Sequence, residues 1–274
     1  MTARQGCCSS LAALGALFGL VEAPRAQTTI PPALSDYAVI GLERVVIRGG
    51  TRVLSGAVGA IGDTVRVGRE ARVTNVVAGP TVRLGTDAHT GTLFCHLVSG
   101  PPPLPSCGVF TDPLLDPSLL APVPVTPGTT DLRLPPRTGT APIPPGSFAD
   151  VRVGAGSTLQ LYGGAYAMRS LRIGRKARVT CASDCRISVL DPVIVRRGAV
   201  LGAASPVRAD TVRLDVAASG MLAFVARPRA NVSATVFAPA GDVVLGSFGA
   251  YRGAFVGRTV VIGPSATVRG DSAL

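Results

Sequence analysis

The carboxylates of this chain are few and far apart in the sequence, which bears directly on hydrolytic chemistry. Acid-catalysed cleavage of a glycoside requires two carboxylates that face one cleft. Several acidic residues, such as Asp184 and Asp191, stand beside Gly, Pro or Ser, where Asp is an ordinary turn residue. The scattered acidic residues include Asp63, Asp87, Asp150, Asp184, Asp191, Asp210, Asp215 and Asp242. The sequence contains no Asp-Asp, Asn-x-Asp or His-Gly pattern, so we predict no catalytic residue.

The histidines and cysteines also give little indication of a catalytic or metal site. His89 and His96 are the only histidines, and a metal site requires more ligands at suitable spacing, so we predict neither a metal nor a cofactor. Four cysteines remain after the N-terminal region, in two local pairs. We predict the disulfides Cys95–Cys107 and Cys181–Cys185, because an even cysteine count is typical of exported chains.

Arginine dominates the charge. The formal net charge is +11, and Lys176 is the single lysine. A basic excess of this size favours an anionic partner, and we expect envelope polysaccharide or lipid headgroups rather than nucleic acid. Alternation along the predicted strands places nine arginines outward, where they could form a ladder of charge, namely Arg52, Arg66, Arg72, Arg83, Arg152, Arg172, Arg178, Arg213 and Arg269.

The elements that would position these side chains follow from a repeat. The strings "VRVGREARV" at 65, "LRIGRKARV" at 171 and "VVIGPSATV" at 260 share one pattern, and neighbouring copies mostly start 17 to 22 residues apart. Val65 and Val67 share one strand face while Arg66 points the other way. Gly68 permits a corner where a side chain would clash, and alternation then resumes.

One such unit cannot bury its aliphatic face alone, but a stack of copies can. We therefore predict an all-β, single-stranded parallel β-helix, or β-solenoid. The irregular spacing favours a right-handed coil over a left-handed hexapeptide coil. The competing architecture is an antiparallel sandwich, whose strands would not be expected to repeat the corner glycine in register.

The ends of the chain and one internal segment depart from the repeat. Residues 1–26 resemble a signal peptide, with an apolar run too short to span a bilayer. Residues 99–147 hold 14 of the 23 prolines. Because proline removes a ladder donor, we predict an extended insertion there, with leucines that could dock on the solenoid flank. The predicted coils are residues 27–98 and 148–274, forming one continuous domain with an open edge on the last coil.

Two segments resemble known protein types. Residues 35–62, "SDYAVIGLERVVIRGGTRVLSGAVGAIG", resemble the opening of exported bacterial β-helix proteins with ice-binding-like N-termini. Residues 235–268 are similar to the closing coils of uncharacterised secreted bacterial β-helix proteins, and their short coils resemble those of bactofilins. The resemblance implies a solenoid fold and carries over no catalytic residue. Because an open parallel edge tends to pair with another chain, we expect the rod to associate end to end, as a bactofilin-like filament would.

The sequence thus predicts an exported, non-enzymatic structural or adhesive solenoid at the cell surface, in the periplasm or in the medium. Two alternatives stay open. One is a carbohydrate-active β-helix enzyme that acts on acidic polysaccharide. The other is an ice- or glycan-binding protein, although a regular array of Thr or small residues is expected on an ice-binding face.

Overall fold

The fold is known from a computed structural model, which describes residues 33–111, 114–115 and 120–271. The predicted signal peptide, residues 1–26, lies outside the described residues. Two short 3-10 helices, Leu34–Asp36 and Ala209–Thr211, lie among the residues that the structure describes. No helix in that part of the chain is long and apolar enough to cross a bilayer.

The first block of strands precedes the proline-rich segment. It comprises Tyr37–Ile47 (β1), Arg52–Ser55 (β2), Ala57–Ala60 (β3), Thr64–Val67 (β4), Arg72–Val73 (β5), Val77–Ala78 (β6), Thr81–Leu84 (β7), His89–Thr90 (β8), Leu93–Phe94 (β9) and Leu97–Ser99 (β10).

The second block follows that segment. It comprises Leu132–Leu134 (β11), Thr140–Ile143 (β12), Gly146–Val153 (β13), Thr158–Leu161 (β14), Gly164–Ile173 (β15), Arg178–Cys181 (β16), Cys185–Val189 (β17), Val193–Val195 (β18), Val200–Ala203 (β19), Val212–Val216 (β20), Gly220–Ala226 (β21), Asn231–Ser233 (β22), Thr235–Ala238 (β23), Gly241–Leu245 (β24), Ala250–Arg252 (β25), Phe255–Ile262 (β26) and Thr267–Arg269 (β27).

These strands pair in parallel and form two sheets, of 17 and 10 strands. The larger sheet bends into two faces, because β1, β15 and β26 each pair with two successive strands of a neighbouring coil. We call these faces A1 and A2, in chain order within a coil, and the smaller sheet face B. Each coil therefore runs through A1, A2 and B, as a parallel β-helix requires. The predicted fold class is confirmed, and the right-handedness of the coil stays a prediction.

The core consists of small aliphatic side chains stacked coil on coil. The inward column of face B illustrates the packing, because its members are register partners and nearly all are inaccessible: Leu159, Val179, Leu201, Val232, Tyr251, Val268, Val53 and Val73. Full burial of each such side chain is worth about 1.5–3 kcal/mol. Alternation along short strands is therefore sufficient to build the core without tryptophan.

The coils do not stack in chain order. The order on face B is β12, β14, β16, β19, β22, β25, β27, then β2, β5 and β8. The last coil thus lies against the first, with Val39 opposite Phe255 and Val53 opposite Val268. The expectation of an open edge on the last coil is wrong, because both of its sides are paired.

The proline-rich segment begins at one end of the rod and leads to the other. Phe110, Leu114, Leu115 and Leu120 are buried in a second apolar cluster outside the main core, formed with outward residues of face A1 such as Ile40. The leucines of this segment therefore dock on the solenoid flank, as the sequence predicts. About eleven coils at the usual strand spacing give a rod of about 50 Å.

The predicted insertion, residues 99–147, is too long at its C-terminal end. Strands β11 and β12 and the start of β13 lie within it, and β11 and β12 form the coil at one end of the rod. Proline is compatible with this coil because β12 is an edge strand, where the N–H that Pro142 lacks is not required. Pro135 and Pro136 lie at its corner and not in a strand.

Candidate binding surface

Ten coils pass from face A2 to face B through a four-residue turn whose third residue has positive φ. Three of the ten turns use glycine at that position: Gly50, Gly156 and Gly198. The other seven use a residue with a side chain, at φ between 55° and 61°: Glu70, Asp87, Arg137, Lys176, Arg229, Phe248 and Ser265. Positive φ at the third turn residue is the geometry of a type II turn, which favours Gly or Asn.

Hydrogen bonds join these turns into a continuous ladder, which we call the turn corner. The N–H of each third residue donates to the carbonyl of the second residue in the next turn, as in Arg137 to Ala155 (2.9 Å) and Arg229 to Ser247 (2.8 Å). The ladder also crosses the junction of the last and first coils, from Ser265 to Gly49 (3.1 Å). Side chains on this corner therefore project from a rigid backbone at regular intervals.

Three successive turns carry two cations each, and we call this set the basic corner: Arg175, Lys176, Arg196, Arg197, Arg227 and Arg229. All six are exposed, and none has an ion pair among the residues that the structure describes. The acids of the turn corner, Glu70 and Asp87, belong to turns at the opposite end of the rod.

Like charges on successive turns of the rod repel one another. Two unit charges 4 Å apart interact by about 1 kcal/mol even in water, and salt screens them at larger separation. The folded backbone fixes the six attachment points, so only the flexible stems can relieve the repulsion. An anionic chain lying along the corner would replace it with attraction, which is the chemistry that this arrangement can perform.

The nine arginines predicted to face outward are all exposed, but they do not lie on one face. Arg152 and Arg172 are register partners on face A2, and Arg66 and Arg83 are partners at the other end of the same face. Between the two pairs, the same outward row is aliphatic: Ile194, Val225, Val244, Val261 and Val46.

The remaining predicted arginines lie on the other faces. Arg52 and Arg72 are partners on face B, and Arg178 lies on the same row five coils away from Arg52. Arg269 stands opposite Arg252 in the second outward row of that face. Arg213 lies on face A1, where its Nε donates to Asp215 at 2.7 Å.

Sequence reasoning missed most of the basic corner because it took outward strand positions as the exposed sites. The cations lie in the turns, directly after β15, β18 and β21. The available signal was the set of short strings "GRK", "RRG" and "RPR" at corresponding corner positions.

The carboxylates of the faces are held by arginines. Asp215 is 1% exposed and accepts hydrogen bonds from the Nε atoms of Arg186 (3.0 Å) and Arg213 (2.7 Å). Asp242 accepts from Arg258 at 3.0 Å, and Asp63 lies 3.8 Å from Arg44. These acids neutralise arginines on the sheets and leave the basic corner uncompensated.

Asp131 and Asp150 are the carboxylates that lie opposite one another in adjacent coils. The backbone N–H of Asp150 and then the Arg133 side chain lower the pKa of Asp131. Hydrogen bonds from Arg169 and then Ser170 hold the pKa of Asp150 well below its usual range. A general acid for glycoside cleavage requires a raised pKa, so this pair is unsuited to that role.

The contacts of the histidines and cysteines are those of structural residues. His96 packs edge-on against Phe110 with ring centroids 5.1 Å apart, and His89 belongs to the outward row of face B. Both predicted disulfides are present, Cys95–Cys107 and Cys181–Cys185. Within the described ranges, no three His, Cys, Asp or Glu side chains are grouped as metal ligands would be.

Face B carries a shallow groove of about 420 Å³ beside the turn corner. Small residues line its floor, including Asn231, Ser233, Ala250 and Thr267, and Arg252 and Arg269 border it. The groove offers hydroxyl and amide groups together with two adjacent guanidinium groups.

Comparison with known proteins gives one structural likeness. The crystal structure of an ice-binding protein from an Antarctic biological consortium aligns with a TM-score of 0.45 and 13% sequence identity, covering 89% of this chain and 92% of that chain. No protein-family model and no curated protein matches the sequence. The bactofilin resemblance stays an expectation from the sequence.

Proposed function

We propose that this chain is an exported, non-enzymatic binding rod that holds an anionic polymer along the basic corner. The observation that carries the proposal is the run of six exposed, unpaired cations on three successive coils, among the described residues. Arginine is suited to this task because its guanidinium binds carboxylate and phosphate groups bidentately. The two disulfides fit an oxidising compartment outside the cytoplasm.

A structural or adhesive role follows from this surface. A rod that binds an envelope polymer along its length would anchor there without a membrane span. The proposal includes no catalysis, because the paired carboxylates are held by arginines that lower their pKa. It also leaves out end-to-end assembly, since the open edge on the last coil that suggested it is filled by the first coil.

The test compares two quadruple variants that lose the same charge. One replaces Arg175, Lys176, Arg196 and Arg197 with Gln, and the other replaces Arg52, Arg66, Arg72 and Arg83 with Gln at the opposite end of the rod. Binding is measured to polygalacturonate, to anionic phosphatidylglycerol vesicles and to neutral dextran, each at 50 and 200 mM salt.

We expect the parent protein to bind polygalacturonate, and to lose about tenfold or more in affinity at the higher salt. The corner variant should lose most of that binding, while the opposite-end variant should keep it. Binding that is equal in the two variants, or that does not change with salt, would overturn the proposal. Preference for the vesicles over polygalacturonate would reassign the partner to lipid headgroups.

The groove on face B favours a second candidate, the binding of ice or a neutral glycan. Its row of Asn231, Ala250 and Thr267 is small and regular, as a flat binding face requires, although Arg252 and Arg269 project beside it. Thermal hysteresis of the parent protein tests this candidate. Thermal hysteresis in the parent that is lost in a Thr267→Arg variant would support this candidate. An absence of thermal hysteresis in the parent would exclude ice binding.

A further inference from the structure

Phe248 occupies the turn that follows the basic corner. Its N–H continues the ladder to Pro264 (3.1 Å), and the N–H of Arg229 donates to Ser247, the residue before it. The residue is 62% exposed and has φ of 57°. It therefore combines an exposed aromatic ring with a backbone conformation that bulky residues avoid.

Nothing in the fold accounts for phenylalanine at this position. Glycine fills the same turn position at Gly50, Gly156 and Gly198 and meets the backbone requirement without strain. Among the described residues, the Phe248 ring makes no aromatic or cation–π contact, in contrast to Tyr251 with Phe255 and Arg213 with Phe237. Strain and exposure at one residue point to a role at the surface.

A groove beside this turn extends the basic corner. It has a volume of about 210 Å³ and runs past Ser247 and Pro264, with Arg227 at one end and Arg48 at the other. The outward valines of face A2, Val225, Val244 and Val261, line its apolar side. A polymer that leaves the basic corner would thus meet an apolar surface and then a further guanidinium group, with Phe248 next to Ser247 at the edge of the groove.

We infer that Phe248 is a ring-stacking subsite, and that the polymer held by the basic corner is an acidic polysaccharide. This inference rests on the proposed function and narrows its partner. A pyranose ring offers an apolar face to an aromatic side chain, which polyphosphate and lipid headgroups do not. Adjacent turns are also about 4.8 Å apart, close to the advance of one sugar along a linear polysaccharide, so successive acidic sugars would meet successive turns.

The test uses three variants and two polymers. Phe248→Gly removes the ring and relieves the backbone strain, so it should fold at least as stably as the parent. Phe248→Trp retains a ring and, because the chain has no other tryptophan, makes this position the one fluorescent indole. Ser265→Gly makes the matched backbone change one turn further on. The polymers are polygalacturonate and inorganic polyphosphate.

We expect Phe248→Gly to weaken polygalacturonate binding about five- to tenfold and to leave polyphosphate binding unchanged. Phe248→Trp should retain affinity, and its emission should shift on adding polygalacturonate but not polyphosphate. Ser265→Gly should bind both polymers as the parent does.

Unchanged polygalacturonate binding by Phe248→Gly would overturn the stacking subsite. The proposed function would still stand if the quadruple corner variant had lost binding to both polymers, so the two failures are distinguishable. Tighter binding of single-stranded oligo(dT) than of polygalacturonate would assign the ring to nucleic-acid bases and would also overturn the inference.

Discussion

Ile40 in the first coil and Val256 in the last coil are register partners in adjacent parallel strands. The coil of β1 and β2 therefore lies between the last coil and the second, and the two ends of the described chain meet inside the rod, with coils on both sides. Leu34 and Asp271 line one pocket there. The proline-rich segment must in turn connect the two ends of the rod, which explains why it lies outside the coils and docks on face A1.

This closure predicts that the chain tolerates circular permutation. Joining residue 271 to residue 33 by a short glycine-rich linker, with new termini between residues 121 and 127, would place the coils in chain order. The permutant should fold with the circular dichroism spectrum of the parent and unfold in one transition. A control cut between β15 and β16, inside a coil, should impair folding. An unfolded permutant beside a folded control would contradict the coil order.

The repeat unit was predictable from the sequence, whereas the order of coils was not. Alternation such as Val65-Arg66-Val67 specifies which side chains point inward, and Gly68 marks a corner where a Cβ would come within 2.8 Å of backbone atoms of the neighbouring coil. Every coil, however, presents the same aliphatic columns to its neighbours. Local pattern therefore cannot distinguish a last coil that ends the rod from one that pairs with the first.

The basic corner was hidden for a related reason. Alternation assigns inward and outward positions within strands, and it says nothing about where turn residues such as Arg197 and Arg229 come together. Proline in β12 likewise concealed a strand, because the rule against proline in a sheet does not apply at an edge such as that of Pro142.

The docking of the proline-rich segment depends on Leu114 and Leu115. Leu114 packs against Gly59, where an added Cβ would lie 2.7 Å from its Cδ2 atom. Leu114→Ala removes the side chain that makes this contact, so the segment should detach from the solenoid at that point. Gly59→Val fills the space that Leu114 occupies and should displace the segment in the same way. We expect faster cleavage between residues 100 and 130 in limited proteolysis followed by mass spectrometry. Leu104→Ala, at a residue 43% exposed, is the matched control and should be cleaved at the parent rate.

Glycines in the turns have two separate roles, which substitutions should resolve. At Gly198 the nearest atom to an added Cβ is Lys176 Cγ at 3.6 Å, so there is space and only the positive φ opposes a side chain. Gly198→Ala should lower the free energy of unfolding by about 1 kcal/mol. Gly68→Ala should lower it further, because its methyl group meets the backbone of the next coil.

The reverse change provides the control for that prediction. Ser265→Gly removes a side chain from a position with φ of 56° and should leave the free energy of unfolding equal to or above that of the parent. Urea denaturation followed by circular dichroism measures all three variants. A larger loss for Gly198→Ala than for Gly68→Ala would show that close approach does not govern the corner.

Stability should fall in acid through Asp150. Its arginine partners lower the pKa in the folded state, whereas the unfolded value is about 3.9. The carboxylate therefore stabilises the fold fully above that value, and its contribution disappears as the pH falls from about 4 through the lower folded pKa. Asp150→Asn should be less stable than the parent at pH 7 and 5, and the difference should shrink at pH 3 and 2.

Urea denaturation at each pH measures this difference. Asp184→Asn is the matched control, because Asp184 is exposed and has no ion pair among the described residues. It should have the stability of the parent at pH 7. A gap between Asp150→Asn and the parent that stayed constant down to pH 2 would contradict the assignment.

The rod should remain monomeric, because prolines cover the ends that other solenoids could extend. At one end β12 is an edge strand that contains Pro142, which has no N–H to offer a second chain. At the other, Pro101, Pro102, Pro103 and Pro105 line one cleft of about 520 Å³ with the last turn, Gly85 to His89. Proline and covering segments are the usual protection of an exposed strand edge.

Sedimentation velocity at increasing concentration should show one species of constant mass, and Pro142→Val should introduce association. Concentration-dependent filaments of the parent would show that one of the two ends remains able to pair.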